Sequence, residues 1–270
     1  MRWGDMEADC LVSIFQRLSM EDLTLSIPLV CKSWHRASHD PLCWRSLDFR
    51  KLDFLPWSKF GERAKKTYPR SPFSFSSFMR FAIHRSSGAA VELRFPLFLQ
   101  VSIKDLAYAS KECPRLKIVV LCSLKLEDEV HLPKLVGKWK ELELLEMVSN
   151  PSSFSELAGE IRLNCKNFSG LKMSGVKKED ASAIVNHLPK LKYLNLNRSY
   201  LPKETLLAIM KGCEDLERLS AKQCIGFEAD REVLDMAARI KSFEHVGSKL
   251  TLDDCNYDSD EYFPYLFQAM

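Results

Sequence analysis

Four residues of metal-binding type recur at four-residue intervals near the N-terminus: Cys31, His35, His39 and Cys43. Thiolate and imidazole groups are common zinc ligands, and this interval places side chains on one face of a helix. The two cysteines would nevertheless lie about 18 Å apart on a helix that rises about 1.5 Å per residue, and Pro41 interrupts that helix. Only the two histidines could share an ion, so the pattern favours a solvated helix face over a metal site.

Motifs for catalysis are missing from the sequence. It contains no Gly-rich phosphate-binding loop, no G-x-S-x-G nucleophile turn and no H-E-x-x-H zinc motif. Cys113, Cys165 and Cys213 recur in register with the repeats described below, and ligands in separate repeats cannot converge on one ion. Small thiols in a repeated buried slot explain them better. We therefore expect a protein that is not an enzyme and carries no cofactor or metal.

Composition and charge exclude further classes. The chain has 270 residues with 39 basic and 36 acidic side chains, a formal net charge of +3, whereas dedicated nucleic-acid binders show a basic face. No run of about 18 apolar residues is present, so no transmembrane helix is expected, and the first residues lack a signal-peptide pattern. Nine cysteines without a C-x-x-C pair indicate free thiols in a reducing compartment. We expect a protein of the cytoplasm and/or nucleus that binds neither nucleic acid nor membrane.

A cluster of short helices is predicted between residues 6 and 49. Apolar residues at i, i+3, i+4 and i+7 mark the first helix: Leu11, Ile14, Phe15 and Leu18. Ser19 is typical of a helix N-cap, and Pro28 is expected in the first turn of a third helix. Three short helices make a small core that usually needs a partner. The surplus apolar side chains indicate either docking to another protein or packing on the rest of this chain.

The same residues resemble an F-box. The matching positions run in the family's order, as Asp9-x-Leu11-x-x-Ile14-Phe15-x-x-Leu18-Ser19-x-x-Asp22-Leu23, then Leu29-Val30-Cys31-Lys32-x-Trp34, then Asp40-Pro41-x-x-Trp44-x-x-Leu47. F-boxes usually begin with Leu-Pro, where this chain has Met6-Glu7. An F-box binds a Skp-type adaptor, which tethers it to the cullin and RING subunits of a ubiquitin ligase. The resemblance therefore implies adaptor contacts from the following residues: Met6, Leu11, Ile14, Phe15, Leu18, Leu23, Val30, Cys31, Lys32, Trp34 and Trp44.

Beyond residue 74 the sequence repeats. The pattern apolar-x-x-apolar-x-apolar begins at residues 90, 116, 142, 168, 191, 216 and 243, and this spacing lies within the range of about 20–29 residues that is typical of leucine-rich repeats. Each unit is predicted to be one strand and one helix, stacked on its neighbours into a curved solenoid. The chain as a whole is similar to the plant F-box proteins with leucine-rich repeats. This resemblance implies an α/β fold, with a short all-α F-box module followed by a right-handed solenoid of about seven units.

Four segments are expected along the chain. An F-box occupies residues 1–49, a connector 50–73, the solenoid 74–250 and a C-terminal segment 251–270. The last segment is acidic and aromatic, without lysine or arginine. We expect it to cap the open end of the solenoid or, alternatively, to be a binding tail.

The concave face of the solenoid is the predicted site of substrate binding. Strand residues between the inward-pointing apolar positions point outward, by the two-residue period of a strand. They combine an apolar patch with aromatic, amide and basic groups that are typical of interfaces; a row of strand-forming residues that binds nothing is the alternative. The candidate substrate-binding residues are Ile118, Val120, Leu144, Glu146, Val148, Lys172, Tyr193, Asn195, Asn197, Arg218 and Lys222.

The resemblance implies a substrate-recognition subunit of an SCF-type (Skp–cullin–F-box) E3 ubiquitin ligase. The F-box would bind the adaptor, the repeats would bind a protein substrate, and the other subunits would bring ubiquitin. Two alternatives stay open. One is a leucine-rich-repeat interaction scaffold without ligase function, which the missing Leu-Pro pair motivates. The other is a small-molecule receptor, which the short repeat array does not favour.

Overall fold

The computed structural model describes residues 6–69, 73–148 and 150–251. Three short helices at the N-terminus lead into one eight-stranded sheet, in which every strand is parallel to its neighbours and the spatial order follows the chain. Helical segments connect each strand to the next. The predicted fold class, an all-α module followed by a solenoid of strand–helix units, is therefore confirmed.

The strands are short, as expected for such repeats. Their bounds are β1 (Ser46–Asp48), β2 (Glu92–Arg94), β3 (Ile118–Leu121), β4 (Leu144–Met147), β5 (Gly170–Lys172), β6 (Tyr193–Asn195), β7 (Arg218–Ser220) and β8 (Ser242–Glu244). The parallel register aligns one apolar residue from each strand into a buried row at most 1% exposed over the first seven strands: Leu47, Leu93, Val119, Leu145, Leu171, Leu194 and Leu219.

The helices pack against the face of the sheet that carries the buried apolar row, and together they enclose the core. Their bounds are α1 (Ala8–Phe15), α2 (Met20–Leu25), α3 (Lys32–Ala37), α4 (Lys59–Thr67), α5 (Phe75–Ser86), α6 (Ile103–Glu112), α7 (Leu126–Glu129), α8 (Leu132–Val136), α9 (Phe154–Asn164), α10 (Lys178–His187), α11 (Lys203–Gly212) and α12 (Arg231–Ala237). In the parts of the chain that the structure describes, none of these helices combines the length and hydropathy needed to cross a membrane.

One of the two helix-start signals predicted in the N-terminal module, Ser19 but not Pro28, is found at the start of its helix. Ser19 caps α2 as predicted, because its Oγ accepts a hydrogen bond from the Asp22 backbone N–H at 3.1 Å. Pro28 does not lie in α3; it lies in a separate 3-10 turn, Ile27–Leu29. Cys31 is extended, with φ −163° and ψ 173°, so the third helix begins only at Lys32. This extended residue separates the turn from the helix.

A strand that the sequence pattern does not predict joins the N-terminal module to the solenoid. β1 pairs with β2, and its Leu47 extends the buried leucine row by one position. Trp44, just before β1, packs edge-on against the Phe81 ring of α5 with centroids 5.7 Å apart. Its indole Nε1–H donates to the Ser38 carbonyl at 2.8 Å. The module and the repeats therefore share one core.

One repeat contains two short helices where each unit is predicted to have a single helix. The structure has α7 and α8 in its place, with Pro133 in the first turn of α8. Proline lacks an N–H and its ring clashes with the carbonyl four residues earlier, so a continuous helix through this position is unfavourable. The repeat accommodates proline by starting a new helix.

The cysteines that recur with the repeats fill buried positions at the ends of helices. Cys113, Cys165 and Cys213 are at most 4% exposed. The Cys165 thiol donates to the Trp139 carbonyl of the preceding repeat at 3.3 Å. Burial raises the pKa of Cys113 to about 12 and the pKa values of Cys165 and Cys213 to about 11. These thiols are therefore neutral packing groups at physiological pH.

Alkylation at pH 8 is expected to separate two classes of cysteine. The thiolate is the reactive species, so the three buried thiols should label far more slowly than Cys31, whose pKa is lowered mainly by a hydrogen bond with Ser33. Labelling with iodoacetamide, followed by peptide mass spectrometry over time, measures the difference. Equal rates at Cys31 and Cys113 in the folded chain would contradict the buried placement, and labelling in urea provides the unfolded reference.

Candidate protein-interaction surfaces

The N-terminal module exposes apolar side chains at the junction between its second and third helices. Leu29 is 64% exposed and Val30 57% exposed, and Ile14 of α1 is 41% exposed. Leu29 ends a 3-10 turn whose first residue, Ile27, is buried in the core, and Val30 lies between this turn and the extended Cys31. A shallow concavity beside it is lined by Pro28, Leu29, Cys31, Lys32, His35 and Arg36. We call Ile14, Leu29 and Val30 the apolar edge of the module.

Several residues predicted to contact an adaptor lie inside the chain instead. Leu11, Phe15, Leu23 and Trp44 are at most 2% exposed, because they form the module's own core and its junction with the repeats. The expectation that they touch a partner directly is therefore corrected: they support the surface from beneath. Trp34 is half-buried and packs edge-on against Phe15 with centroids 5.3 Å apart.

The remaining predicted adaptor contacts lie at or near the surface. Met6 and Leu18 are half-buried and pack against the core, Cys31 is half-buried, and Lys32 is exposed beside Val30. Leu29 and Leu42, exposed by 64% and 44%, are absent from the predicted set. Leu29 directly follows Pro28 in the sequence, and this position next to a proline is the signal that could have indicated its exposure.

The two histidines of α3 have different environments. The rings of His35 and His39 lie 4.3 Å apart between centroids, with His35 exposed and His39 half-buried. Burial lowers the pKa of His39, and the charges of Arg85 and His35 lower it further. Among the described residues no three His, Cys, Asp or Glu side chains are grouped as metal ligands. Both side chains were expected to be exposed to solvent, and of the two only His35 is.

The concave face is formed by outward-pointing residues of the sheet. The register places Ile118, Leu144, Gly170, Tyr193 and Arg218 side by side on consecutive strands. Ile118, Leu144 and Tyr193 are half-buried, Arg218 is exposed, and Val148 further along β4 is 40% exposed. We call Ile118, Leu144, Tyr193 and Arg218 the concave stripe.

Val120 is wrongly predicted as a surface residue of this face. It is fully buried, with 0% exposure. The register places it between Arg94 and Glu146 on the neighbouring strands, so longer side chains flank it on both sides. Val120 is therefore a packing residue, and a substitution there would test folding rather than binding.

The acidic and basic residues of the concave face are mostly paired with one another. Glu146 and Lys172, both predicted to contact substrate, bind each other at 2.5 Å. Lys222, likewise predicted, binds Glu244 at 2.9 Å. The hydrogen bond from Lys222, with a second from Ser220, lowers the pKa of Glu244. A substrate that contacts these groups must compete with existing ion pairs.

The two predicted asparagines serve the chain's own structure. The Asn197 Oδ1 accepts hydrogen bonds from the Lys222 backbone N–H at 2.7 Å and from the Ser220 hydroxyl at 2.9 Å. The Asn195 Oδ1 accepts from the Asn197 backbone N–H at 3.1 Å. The Asn197 bonds join consecutive repeats, the Asn195 bond lies within one repeat, and both side chains use their acceptor oxygens in the chain itself. Tyr193 and Arg218 are the predicted anchors that remain available to a partner.

Comparison with known proteins gives similarity along the whole chain. The F-box-like family model matches residues 8–50. An F-box/LRR-repeat protein of Arabidopsis thaliana is 30% identical over 266 residues, which cover 90% of this chain and 83% of the relative. The F-box protein SKIP1 of the same plant is 23% identical over 266 residues, covering 90% of this chain and 86% of the relative. The F-box protein SKIP19 is 26% identical over 228 residues, covering 82% of this chain and 69% of the relative.

Proposed function

The chain belongs to the F-box/LRR-repeat family, and on this premise we propose that it is the substrate-recognition subunit of an SCF-type E3 ubiquitin ligase. The N-terminal module binds a Skp-type adaptor, and through it the cullin and RING subunits. The repeats hold a protein substrate on their concave face. The chain itself contributes no bond-making step: it raises the effective concentration of substrate at the ubiquitin-charged enzyme.

The apolar edge of the module is the observation that carries this proposal. Ile14, Leu29 and Val30 stay exposed although the module has a complete core, which it shares with the repeats. Exposed apolar patches mark sites of protein association. The relatives named SKIP, for Skp1-interacting, support an adaptor as the partner.

The scaffold alternative rests on Met6-Glu7, and the backbone there does not favour it. Glu7 has φ −54°, which lies within the range of about −65 ± 15° that proline imposes. Met6 packs against the core. The backbone at the start of α1 is therefore compatible with proline at position 7, although glutamate must lose more conformational freedom to adopt it.

The division of the chain and its location remain proposals drawn from sequence. We retain 1–49, 50–73, 74–250 and 251–270 as functional segments, and cytoplasm and/or nucleus as the location. Because β1 (Ser46–Asp48) pairs with β2, the sheet begins inside the first of these segments. The predicted cap or tail at 252–270 lies outside the described residues.

Substrates of the ligase are expected to accumulate when the adaptor site is disabled. Cells that express Leu29→Asp/Val30→Asp in place of the wild-type chain should show longer half-lives for a small set of proteins, measured by quantitative proteomics after translation is stopped. True substrates should also co-purify with that variant, because its repeats are intact. If no protein is both stabilised and captured, the substrate-receptor role is wrong.

A further inference from the structure

One basic residue on the concave face, Arg218, forms no salt bridge with an acidic side chain of the described residues. Each of the four acids on this face is bound to a base, in the pairs Asp48–Arg50, Glu92–Arg94, Glu146–Lys172 and Glu244–Lys222. The fifth base is Arg218. No carboxylate of a described residue forms a salt bridge with it, and its guanidinium lies over the Tyr193 ring, 5.4 Å from the centroid. Arg218 on β7 is therefore a base of this face that no described carboxylate binds in a salt bridge, whereas the other charged groups of the face are paired.

The surroundings of Arg218 keep this charge available. Its neighbours in the register are Tyr193 on β6 and Ser242 on β8, both uncharged. Glu217, next to it in sequence, is already bound to Lys241 at 2.8 Å. Lys192, exposed beside Tyr193, also makes no salt bridge to a described residue. Stacking on an aromatic ring orients a guanidinium while leaving its N–H groups free to bind an anion.

An apolar floor lies next to this charge. Gly170 stands between Leu144 and Tyr193 in the register, and a Cβ at Gly170 would collide with the Leu144 side chain. Leu144 thus leans across the glycine and extends the apolar surface towards Tyr193. Leu144 and Arg218 are three strands apart, about 14 Å, which equals about four residues of an extended peptide.

These features define the ligand as a peptide with a carboxylate and an apolar side chain about four residues apart. The C-terminal segment 252–270 has this chemistry: five acids, no lysine or arginine, and five aromatic residues. Because it holds five of the chain's 36 acids and none of its 39 bases, residues 1–251 carry a formal charge of +8. Its 19 residues can span up to about 63 Å, whereas β8 and β4 are only about 19 Å apart across four strand spacings.

We propose that the concave stripe is a binding site for acidic, aromatic peptides and that the chain's own segment 252–270 occupies it. Arg218 binds a carboxylate of the segment, and Leu144 and Ile118 contact its aromatic side chains. If the function proposed above is correct, a substrate must displace this segment before it binds. Most substrate-binding sites are then occupied, and an acidic, apolar sequence of a substrate competes for them. Binding of the segment itself does not depend on that function.

Carbodiimide cross-linking of the full-length chain tests the contact, because it joins carboxylates directly to amines with no spacer. Intramolecular products, separated as monomer and mapped by mass spectrometry, are expected between acids of the segment and Lys172 or Lys192, which flank the stripe. Products only with Lys241 and Lys249 of the last repeat would mean that the segment caps the solenoid end. Products found only in dimers would mean that a second copy binds it. Either result overturns the proposal.

Variants distinguish binding at the concave stripe from a general attraction between the acidic segment and the basic chain. Arg218→Glu should reduce the yield of cross-links to Lys172 and Lys192 by about tenfold, the effect of one charge-assisted contact, and Arg218→Lys should restore part of it. Arg231→Glu, at an exposed arginine of α12, is the matched control and should leave the yield unchanged. Equal losses in Arg218→Glu and Arg231→Glu would overturn the proposal. Adaptor co-purification, measured on the same variants, reports separately on the proposed function.

Discussion

Replacing Leu29 and Val30 together by aspartate is expected to abolish co-purification of a Skp-type adaptor. The two side chains are 64% and 57% exposed, so they are available to a partner and contribute little to the chain's own core. Burial of each would stabilise a complex by up to about 1.5–3 kcal/mol, and an aspartate buried at an apolar interface adds a desolvation cost. A combined loss of about 4 kcal/mol weakens binding roughly 1,000-fold.

The matched control for this variant lies in the repeats. Leu126 and Val130 of the α7 region are similarly exposed, at 76% and 62%, and Leu126→Asp/Val130→Asp changes the chain's charge by the same amount. It should co-purify with the adaptor as the wild type does. Both double variants should unfold within about 0.5 kcal/mol of the wild type, because exposed substitutions rarely change stability more. Adaptor binding that survives in Leu29→Asp/Val30→Asp would place the interface elsewhere on the module.

Trp44→Ala is expected to lower the free energy of unfolding by about 3–5 kcal/mol, the usual cost of emptying a buried tryptophan site. Trp44 is 1% exposed and packs edge-on against Phe81 of the first repeat helix. The change also removes the indole donor to the Ser38 carbonyl, leaving that buried acceptor without its partner. Because Trp44 joins the module to the solenoid, both should unfold together. Urea denaturation followed by circular dichroism measures the shift.

This variant also decides between two roles for Trp44. A direct adaptor contact, as the sequence alone predicts, would lower adaptor affinity in a chain of normal stability. The buried position predicts the opposite: reduced stability, with adaptor binding kept wherever the chain is folded. Trp57→Ala is the control, since Trp57 is 72% exposed and its loss should change the unfolding free energy by about 0.5 kcal/mol or less. Unchanged stability in Trp44→Ala would refute the placement of this residue.

The repeats could be predicted from sequence because burial imposes their period. Val119, Leu145, Leu171 and Leu194 each fill the same slot in the core, and only apolar residues fit there. β1 was not predicted because it is a three-residue strand with one core side chain, Leu47. No earlier strand of the described residues precedes it at the repeat interval, so the sequence shows no period there.

The surfaces were predicted less well than the core, for a physical reason. The alternation of a strand shows which way a side chain points, but it does not show what stands beside it. Val120 points outward and is nevertheless buried between its neighbours Arg94 and Glu146. Family motifs likewise mix residues that support a surface with residues that form it. Phe15, 1% exposed, belongs to the first kind, and Val30, 57% exposed, belongs to the second.

Co-expression of the full-length chain with a Skp-type adaptor tests the central claim most directly. Size-exclusion chromatography with light scattering gives the mass of the species that forms. A ligase receptor should elute as a one-to-one complex with the adaptor, and Leu29→Asp/Val30→Asp should elute alone at the chain's own mass of 31.1 kDa. A wild-type chain that is folded and elutes as a free monomer beside unbound adaptor would contradict the account and favour a scaffold without ligase function.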